Sequence, residues 1–395
     1  MKKLFSSFFR YVGYIVFRPI WIMERIIPRN DKIWIFGAWF GEKYADNSKY
    51  LYEYVVQNEK EIKAVWITKS KEIYAQLKAK NFTVYKASSF LGIFFTLIAG
   101  YAFLTNGQTD VNCFFINGCK QVWLWHGMPL KKILKCDDAY VKINRYKKLV
   151  QEFLNPYHKL NPYVTITSSD FFTPYLAESF GIDKARILNT GLPRCDAFFN
   201  EKREKFIEDL RKKYNGAKIF IYMPTFRMAS TRDGVKSSLF IEKYGFISRE
   251  FEEFLSSNNI VFLFKPHFVD SGIKIDIHSE HFIYLEDYMY DDLYCLLNSV
   301  DALLTDYSSV YFDFLASKKT TFLLPFDYDD YLLNSRGHFF DMYTEMNSQV
   351  CKNWNDFYMQ VKNNYKNSEI DLKKFGQYLD GHSSEKIVNF LRCMN

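Results

Sequence analysis

Ala302-Leu303-Leu304-Thr305-Asp306-Tyr307-Ser308-Ser309-Val310 decides how this chain is read. Ala302 to Leu304 make a short apolar strand, and Tyr311 to Ala316 that follow have the composition of a helix. A strand that feeds a helix through small hydroxyls and free amides places an anion where the helix N-terminus favours it. Ser308, Ser309 and Thr305 are therefore candidate phosphate ligands, and Asp306 either caps the helix or meets a sugar hydroxyl. A plain cap with no ligand is the bland reading of this motif taken alone. The same arrangement stands upstream in Trp123-Leu124-Trp125-His126-Gly127-Met128-Pro129-Leu130-Lys131-Lys132, where bulky strand residues stop at a histidine, glycine frees the backbone and two lysines follow. Two such strand ends suggest two halves of one phosphate-handling cleft.

Outward from these two points the chain alternates apolar strands with helical segments. Strands are expected at Ile33 to Ala38, Ala64 to Thr68, Thr83 to Tyr85, Tyr101 to Thr105, Val122 to Trp125, Val164 to Thr167 and Ile187 to Asn189, then at Ile219 to Met223, Val261 to Lys265, Phe282 to Leu285, Ala302 to Leu304 and Thr321 to Leu324. Strands that run apolar without alternation, with helices between them, imply mostly parallel sheets covered on both faces. A length of 395 residues suits two such units better than one core. The polar helix Asn200 to Tyr214, stopped by Asn215-Gly216, marks the boundary, giving an N-terminal segment 1–29, a first Rossmann-like domain 30–205 and a second 206–395. The last helices, from about Asn353, belong to neither by pattern, and packing back on the first domain is open to them.

Composition is that of a folded protein, with 48% hydrophobic, 25% charged and a high 19% aromatic residues. A net charge of +7 fits a partner bearing phosphate or an anionic lipid surface better than it argues for nucleic acid. The seven scattered cysteines show no CxxC pair or zinc spacing, which points to a reducing cytoplasm. Residues Met1 to Arg29 interleave Lys2, Lys3, Arg10, Arg18, Arg25 and Arg29 with Phe5, Phe8, Phe9, Tyr11, Tyr14, Phe17 and Trp21, the pattern of an amphipathic helix lying along a membrane, with a first helix packed on the protein body as the alternative. The uncharged stretch Ala87 to Thr109 is long enough to span a bilayer, but its polar residues and glycines divide it into a buried helix, Phe90 to Ala99, and a strand.

In open parallel sheets ligands collect beyond the carboxyl ends of strands, and each chemical motif here follows a strand. His126 would project from a strand end, where an imidazole suits a general base; the histidine of an ordinary core is the alternative, and Gly127, Pro129, Lys131 and Lys132 in the same turn favour function. Lys265-Pro266-His267 adds a cation and a second imidazole that would neutralise a diphosphate. Thr225 and Arg227, after the strand ending at Met223, offer a hydroxyl and a planar fork for phosphate oxygens. Gly191-Leu192-Pro193-Arg194-Cys195-Asp196 follows a strand in the same way, although Arg194 and Asp196 two apart equally well pair to pin a turn. Asp327-Tyr328-Asp329-Asp330 contains a DxD string, too short a signal to assign a metal, and no cofactor is required. Walker and GxGxxG loops are absent from the sequence.

Taken in order, WHGMPLKK, GLPRCD, MPTFR, KPH and LLTDYSSVYFDFL resemble the CDP-glycerol glycerophosphotransferase family, as do Phe36-Gly37-Ala38-Trp39-Phe40-Gly41, Asp46-Asn47-Ser48-Lys49, Arg336-Gly337 and Phe339-Phe340-Asp341. The likeness runs from Trp34 to about Asp341. It implies a GT-B architecture, two Rossmann-like domains facing across a cleft, and transfer of glycerol phosphate from CDP-glycerol to a hydroxyl of a lipid-linked or oligosaccharide acceptor with release of CMP. By the same likeness His126 matches the base and His267 a group that holds the donor diphosphate, and these two are the catalytic pair. Thr225, Arg227, Lys265, Thr305, Asp306, Ser308 and Ser309 fall on the donor side, and Gly127, Lys131, Arg194, Asp196, Asn47 and Arg336 on the acceptor or cleft side. Met128 replaces a usual threonine and Phe268 a usual proline. The expected place is the cytoplasmic face of the membrane, as a peripheral enzyme of teichoic acid or capsule synthesis. Rival readings are a CDP-ribitol transferase, a nucleotide-sugar glycosyltransferase of the same fold, and a non-catalytic membrane scaffold.

Overall fold

The computed structural model describes residues 16, 18–144, 146, 149, 162–225, 239–267, 275–334, 337–346, 350–363 and 369–394. The first lobe is built on strands β1 (Asn30–Phe36), β2 (Lys63–Thr68), β3 (Val84–Lys86), β4 (Ala99–Leu104), β5 (Lys120–Trp123), β6 (Val164–Ile166) and β7 (Ile187–Leu188), in the sheet order β3-β2-β1-β4-β5-β6-β7. In the second lobe, β8 (Lys218–Met223), β9 (Ile260–Phe264), β10 (Phe282–Tyr284), β11 (Ala302–Thr305) and β12 (Thr320–Leu323) run in the order β10-β9-β8-β11-β12. Every pairing is parallel, with Leu304 lying between Tyr222 and Phe322 in register. The reason is visible in the strands themselves: β4, β9 and β11 are buried at every residue, and only a sheet covered on both faces accepts that.

Both sheets start in the middle and reverse direction between their first strand and the fourth, so a crevice opens beyond the carboxyl ends of β1 and β4 in one lobe and of β8 and β11 in the other. The chemical motifs lie at these ends. His126 follows β5, Thr225 follows β8, His267 follows β9, and Asp306 to Ser309 follow β11.

The sequence reading carries several strands too far. Its first strand runs to Ala38 and its fifth to Trp125, whereas the ladders stop at Phe36 and Trp123, because the chain turns into left-handed backbone at Trp39 (φ 49°) and Trp125 (φ 53°). The stretch Ala87 to Thr109 does divide into a helix, Phe90–Ile98, and β4, but the helix is buried on one face only: Gly92, Phe95 and Thr96 are buried, while Phe90 is 82% exposed, and Leu91 and Phe94 are exposed beside it. The boundary helix spans Lys205–Lys213 rather than starting at Asn200.

The lobes meet over an apolar seam. Phe172 of the first lobe stands 5.0 Å from Phe312 of the second, and Phe340 and Phe375 pack around them, so one core runs through both. The last helix, Ser383–Cys393, returns to the first lobe, where it packs on helix Asp46–Asn58 and Arg392 bonds Glu59.

Candidate active site

The turn that carries His126 is assembled from distant parts of the first lobe. Leu124 N still bonds Leu104 O (2.7 Å), then Trp125 takes its φ of 53° and Gly127 one of 147°. A non-glycine residue in the left-handed region costs free energy that its surroundings must offset. Here the amide group of Asn47 donates to the carbonyls of Leu124 (3.1 Å) and Trp125 (3.0 Å), while its oxygen accepts from the amide of Arg194 (3.1 Å). Trp125 packs against the imidazole at 4.1 Å between centroids, and Trp39 lies at 6.1 Å.

His126 Nδ1 lies 3.1 Å from the carbonyl oxygen of Thr105. A carbonyl only accepts, so Nδ1 carries the ring proton and Nε2 keeps its lone pair. Burial lowers the pKa of the imidazole below its ordinary value, against the pull of Asp46 and the Thr105 bond, so the neutral form is favoured at pH 7. The site therefore holds a neutral imidazole with one defined basic nitrogen.

Across the seam the second lobe brings its own turn into contact. A Cβ at Gly127 would lie 2.3 Å from Ser309 Oγ and 2.7 Å from Ser309 Cβ, so only glycine lets the two strand-end motifs touch. Asp306, buried, accepts the amides of Thr225 (2.8 Å) and Tyr307 (2.6 Å), tying the ends of β8 and β11 together at the switch point. Ser309 precedes helix Val310–Phe314, which continues as a 3-10 turn to Ser317. The Lys131 end of the His126 motif pairs with 337–339: Lys131 and His338 form an antiparallel bridge, and Lys132 N bonds Gly337 O (2.7 Å). Lys131 Nζ donates to Tyr331 Oη at 3.1 Å. His267 is half-buried, and its pKa is lowered by burial and by Lys131, while Asp306 opposes. Lys131 thus links the two histidine motifs.

Against known proteins, the model of the CDP-glycerol:poly(glycerophosphate) glycerophosphotransferase family matches residues 20–392. The chain belongs to this family. Its relatives include the teichoic acid poly(glycerol phosphate) polymerase of Bacillus subtilis (strain 168), 25% identical over 94% of this chain and 50% of the polymerase. The teichoic acid glycerol-phosphate transferase of Staphylococcus aureus (strain NCTC 8325 / PS 47) is 24% identical over 91% of this chain and 92% of its own length. The chain thus spans half of the first relative and nearly all of the second. Among solved structures, the wall teichoic acid polymerase TagF superposes with a TM-score of 0.71 at 19% identity, over 100% of this chain and 98% of that one.

Within this glycerophosphotransferase fold, several residues singled out from sequence have structural duties. Asp196 does not face the cleft: it caps the last helix, accepting the amides of Ser383 (2.9 Å) and Ser384 (3.0 Å). Arg194 is 4% exposed and paired at 2.7 Å with both Asp46 and Asp313, so it joins the lobes rather than waiting for an acceptor. Asn47 is fully buried and spends its amide on the His126 turn. Lys265 forms an ion pair with Asp287, whose carboxylate also accepts from Tyr290 Oη, and the Thr305 hydroxyl bonds Met223 O at 2.8 Å. Arg227, Arg336 and residues 1–15 and 17 lie outside the described residues.

Sequence reasoning gave no role to Asp46, Asp313 and Tyr294, the last donating to Asp313 at 2.7 Å. Asp313 lies within the quoted LLTDYSSVYFDFL string, but one acidic residue in an apolar run gives no hint of its partner. In the acidic run, Asp327 accepts from Tyr307 Oη (3.0 Å) and Asp330 faces Lys243 (3.5 Å). Among the described residues no group of three or more metal-ligating side chains forms.

Proposed function

We propose that this chain transfers glycerol phosphate from CDP-glycerol to a hydroxyl of a lipid-linked acceptor in teichoic acid synthesis, releasing CMP. The observation that carries this reading is the contact of the two strand-end motifs at Gly127 and Ser309, which sets a neutral, tautomerically fixed imidazole beside a turn of hydroxyls and amides. The acceptor oxygen attacks the β-phosphorus, its proton passes to His126 Nε2, and the bond from that phosphorus to the bridging oxygen breaks as CMP leaves. Charge growing on the bridging oxygen meets Lys131, His267 and the amides and hydroxyls of Ser308 and Ser309, so catalysis is positioning and electrostatics. These groups supply the neutralisation that a divalent ion supplies elsewhere, and no cofactor enters the scheme. Residues 30–205 then serve the acceptor and 206–395 the donor.

The membrane supplies the acceptor in this reading. Ile22, Met23 and Ile26 are exposed in the segment following Arg18, and Arg29 fixes that segment to the body through bonds to Thr96 O (2.7 Å) and Asn117 O. The Thr96 bond ties it to the helix whose Phe90, Leu91 and Phe94 are also exposed, and exposed apolar side chains in a segment that carries Arg18 and Arg25 suit anionic lipid. Among the described residues no helix is long and apolar enough to cross a membrane. We place the protein on the cytoplasmic face, held peripherally.

One solved structure of the TagF polymerase was obtained after a soak with CDPG. Ribitol-phosphate polymerases of Staphylococcus aureus are also relatives, TarL being 30% identical over 57% of this chain. Purified protein should release CMP from CDP-glycerol in the presence of lipid-linked acceptors and chelator, faster than from CDP-ribitol. Faster release from CDP-ribitol, or UDP release from a nucleotide sugar, would overturn the donor, and no nucleotide release from any donor would overturn the enzyme reading.

A further inference from the structure

The ladder joining β4 to its neighbours ends early. Gly37 N bonds Phe103 O (3.2 Å) and Leu124 N bonds Leu104 O (2.7 Å), after which no strand remains to pair the next amides. The carboxylate of Asp110 takes over. Its Oδ2 accepts from the amides of Thr105 and Asn106, each at 2.7 Å, and from the Thr105 hydroxyl at 3.2 Å; its Oδ1 accepts the amide of Phe40 at 2.7 Å. Phe40 follows β1 and Thr105 follows β4, so one fully buried side chain stitches the ends of the two strands that bound the switch point of the first lobe.

The Asn106 amide and the Thr105 carbonyl belong to the same planar peptide unit, with N–H and C=O pointing to opposite sides. Asp110 grips one side of that plane and His126 Nδ1–H is bound to the other. An amide whose N–H is held by a carboxylate is polarised, which strengthens its carbonyl as an acceptor. We propose that Asp110 is a positioning residue for the reaction: by clamping the Thr105 to Asn106 peptide plane it keeps the proton of His126 on Nδ1 and leaves Nε2 to act.

This rests on reading His126 as the base. Charged groups facing His126 are Asp46, Arg194 and Asp110 itself; facing Asp110 is Lys69, whose Nζ bonds Phe40 O (2.8 Å) and Thr109 O (2.5 Å). Burial pushes the Asp110 carboxyl up and its amide donors pull it back.

In Asp110→Asn, the carboxamide oxygen serves either Phe40 or the 105–106 amides and turns an NH2 against the other, and a neutral acceptor replaces a charged one, so the clamp is lost in one orientation and weakened in the other without a change of size. With 15N-labelled histidine, the His126 signals being those missing from His126→Ala, the wild-type protein should show the Nδ1–H form and Asp110→Asn a mixture with Nε2–H. CMP release should fall about tenfold to a hundredfold with the KM for donor unchanged. Removing a negative charge near His126 should also move the acidic limb of the rate profile to lower pH. A single Nδ1–H form with full turnover in Asp110→Asn overturns the inference and leaves the base reading standing, whereas full turnover in His126→Ala overturns the base reading. Should Asp110→Asn fail to fold, the wild-type spectrum still decides: an Nε2–H form at His126 overturns the clamp.

Discussion

The turns after β5 and β9 each set an imidazole beyond the end of a parallel strand, yet they are built on different principles. Around His126 groups from three other segments close in: the Asn47 side chain on its neighbours' carbonyls, Trp39 against the ring and the Thr105 backbone carbonyl on Nδ1. His267 is half-buried and sits between Lys131, which opposes its protonation, and Asp306, which favours it. The first histidine has its proton position decided before any substrate arrives. The second takes its charge from what arrives, since a diphosphate beside it would raise the pKa that burial and Lys131 hold down.

The largest expected effect separates the two. His126→Ala should lower CMP release by about 10²- to 10⁴-fold while CDP-glycerol still binds, and His267→Ala should mainly weaken donor binding, by about tenfold. In the wild type, donor affinity should rise as pH falls through the bound-state pKa of His267, because the complex takes up a proton; titration calorimetry in buffers of different ionisation enthalpy measures that uptake. The contrast breaks if both variants lose rate alike or if His267→Ala keeps the pH dependence.

A smaller effect is expected at the contact between the lobes. Gly127→Ala forces a side chain onto a φ of 147° and into Ser309, so we expect a loss of about 1 to 3 kcal/mol in stability and about a tenfold loss of turnover. Adding Ser309→Gly relieves the collision but not the backbone strain, so partial recovery of thermal stability assigns the remainder to the turn itself. Full recovery would show that the left-handed geometry is not strained.

The smallest effect concerns His338, the residue bridged to Lys131. Both its ring nitrogens are buried with no hydrogen-bond partner among the described residues, and burial followed by Lys131 lowers its pKa to about 4. The folded value lies below the ordinary 6.5, so on acidification the unfolded chain binds the proton first and stability drains away between pH 6.5 and about 4. His338→Phe, among Tyr307, Tyr328 and Tyr331, should raise Tm by about one to two degrees and make the fall from pH 6.5 to 4 shallower than in the wild type. A lower Tm in this variant would mean that the imidazole has a role that a ring alone does not fill.

Strands were legible because burial on both faces writes itself as an uninterrupted apolar run, and all the expected strands fall within the two sheets. Their ends were less legible: Trp125 reads as one more strand residue, and only Asn47, far away in sequence, explains how it turns. The motif residues near the seam, His126, Gly127, Lys131, Asp306 and Ser309, were readable as a chemical set after strands. Arg194, Asp196 and Lys265 were not, because a charged side chain after a strand looks the same whether it faces a ligand or a buried carboxylate. Only tertiary pairing with Asp313, with the amides of Ser383 and Ser384, and with Asp287 separates these cases.

Helix Ser383–Cys393 rests on the lobe that is translated first, beside helix Asp46–Asn58 and under the carboxylate of Asp196. During vectorial synthesis that lobe emerges from the ribosome long before its own cover does, with helix Asp46–Asn58 waiting for the last helix of the chain. The half of the protein made earliest is therefore the half completed last, and its nascent form is the species for which a chaperone would be needed.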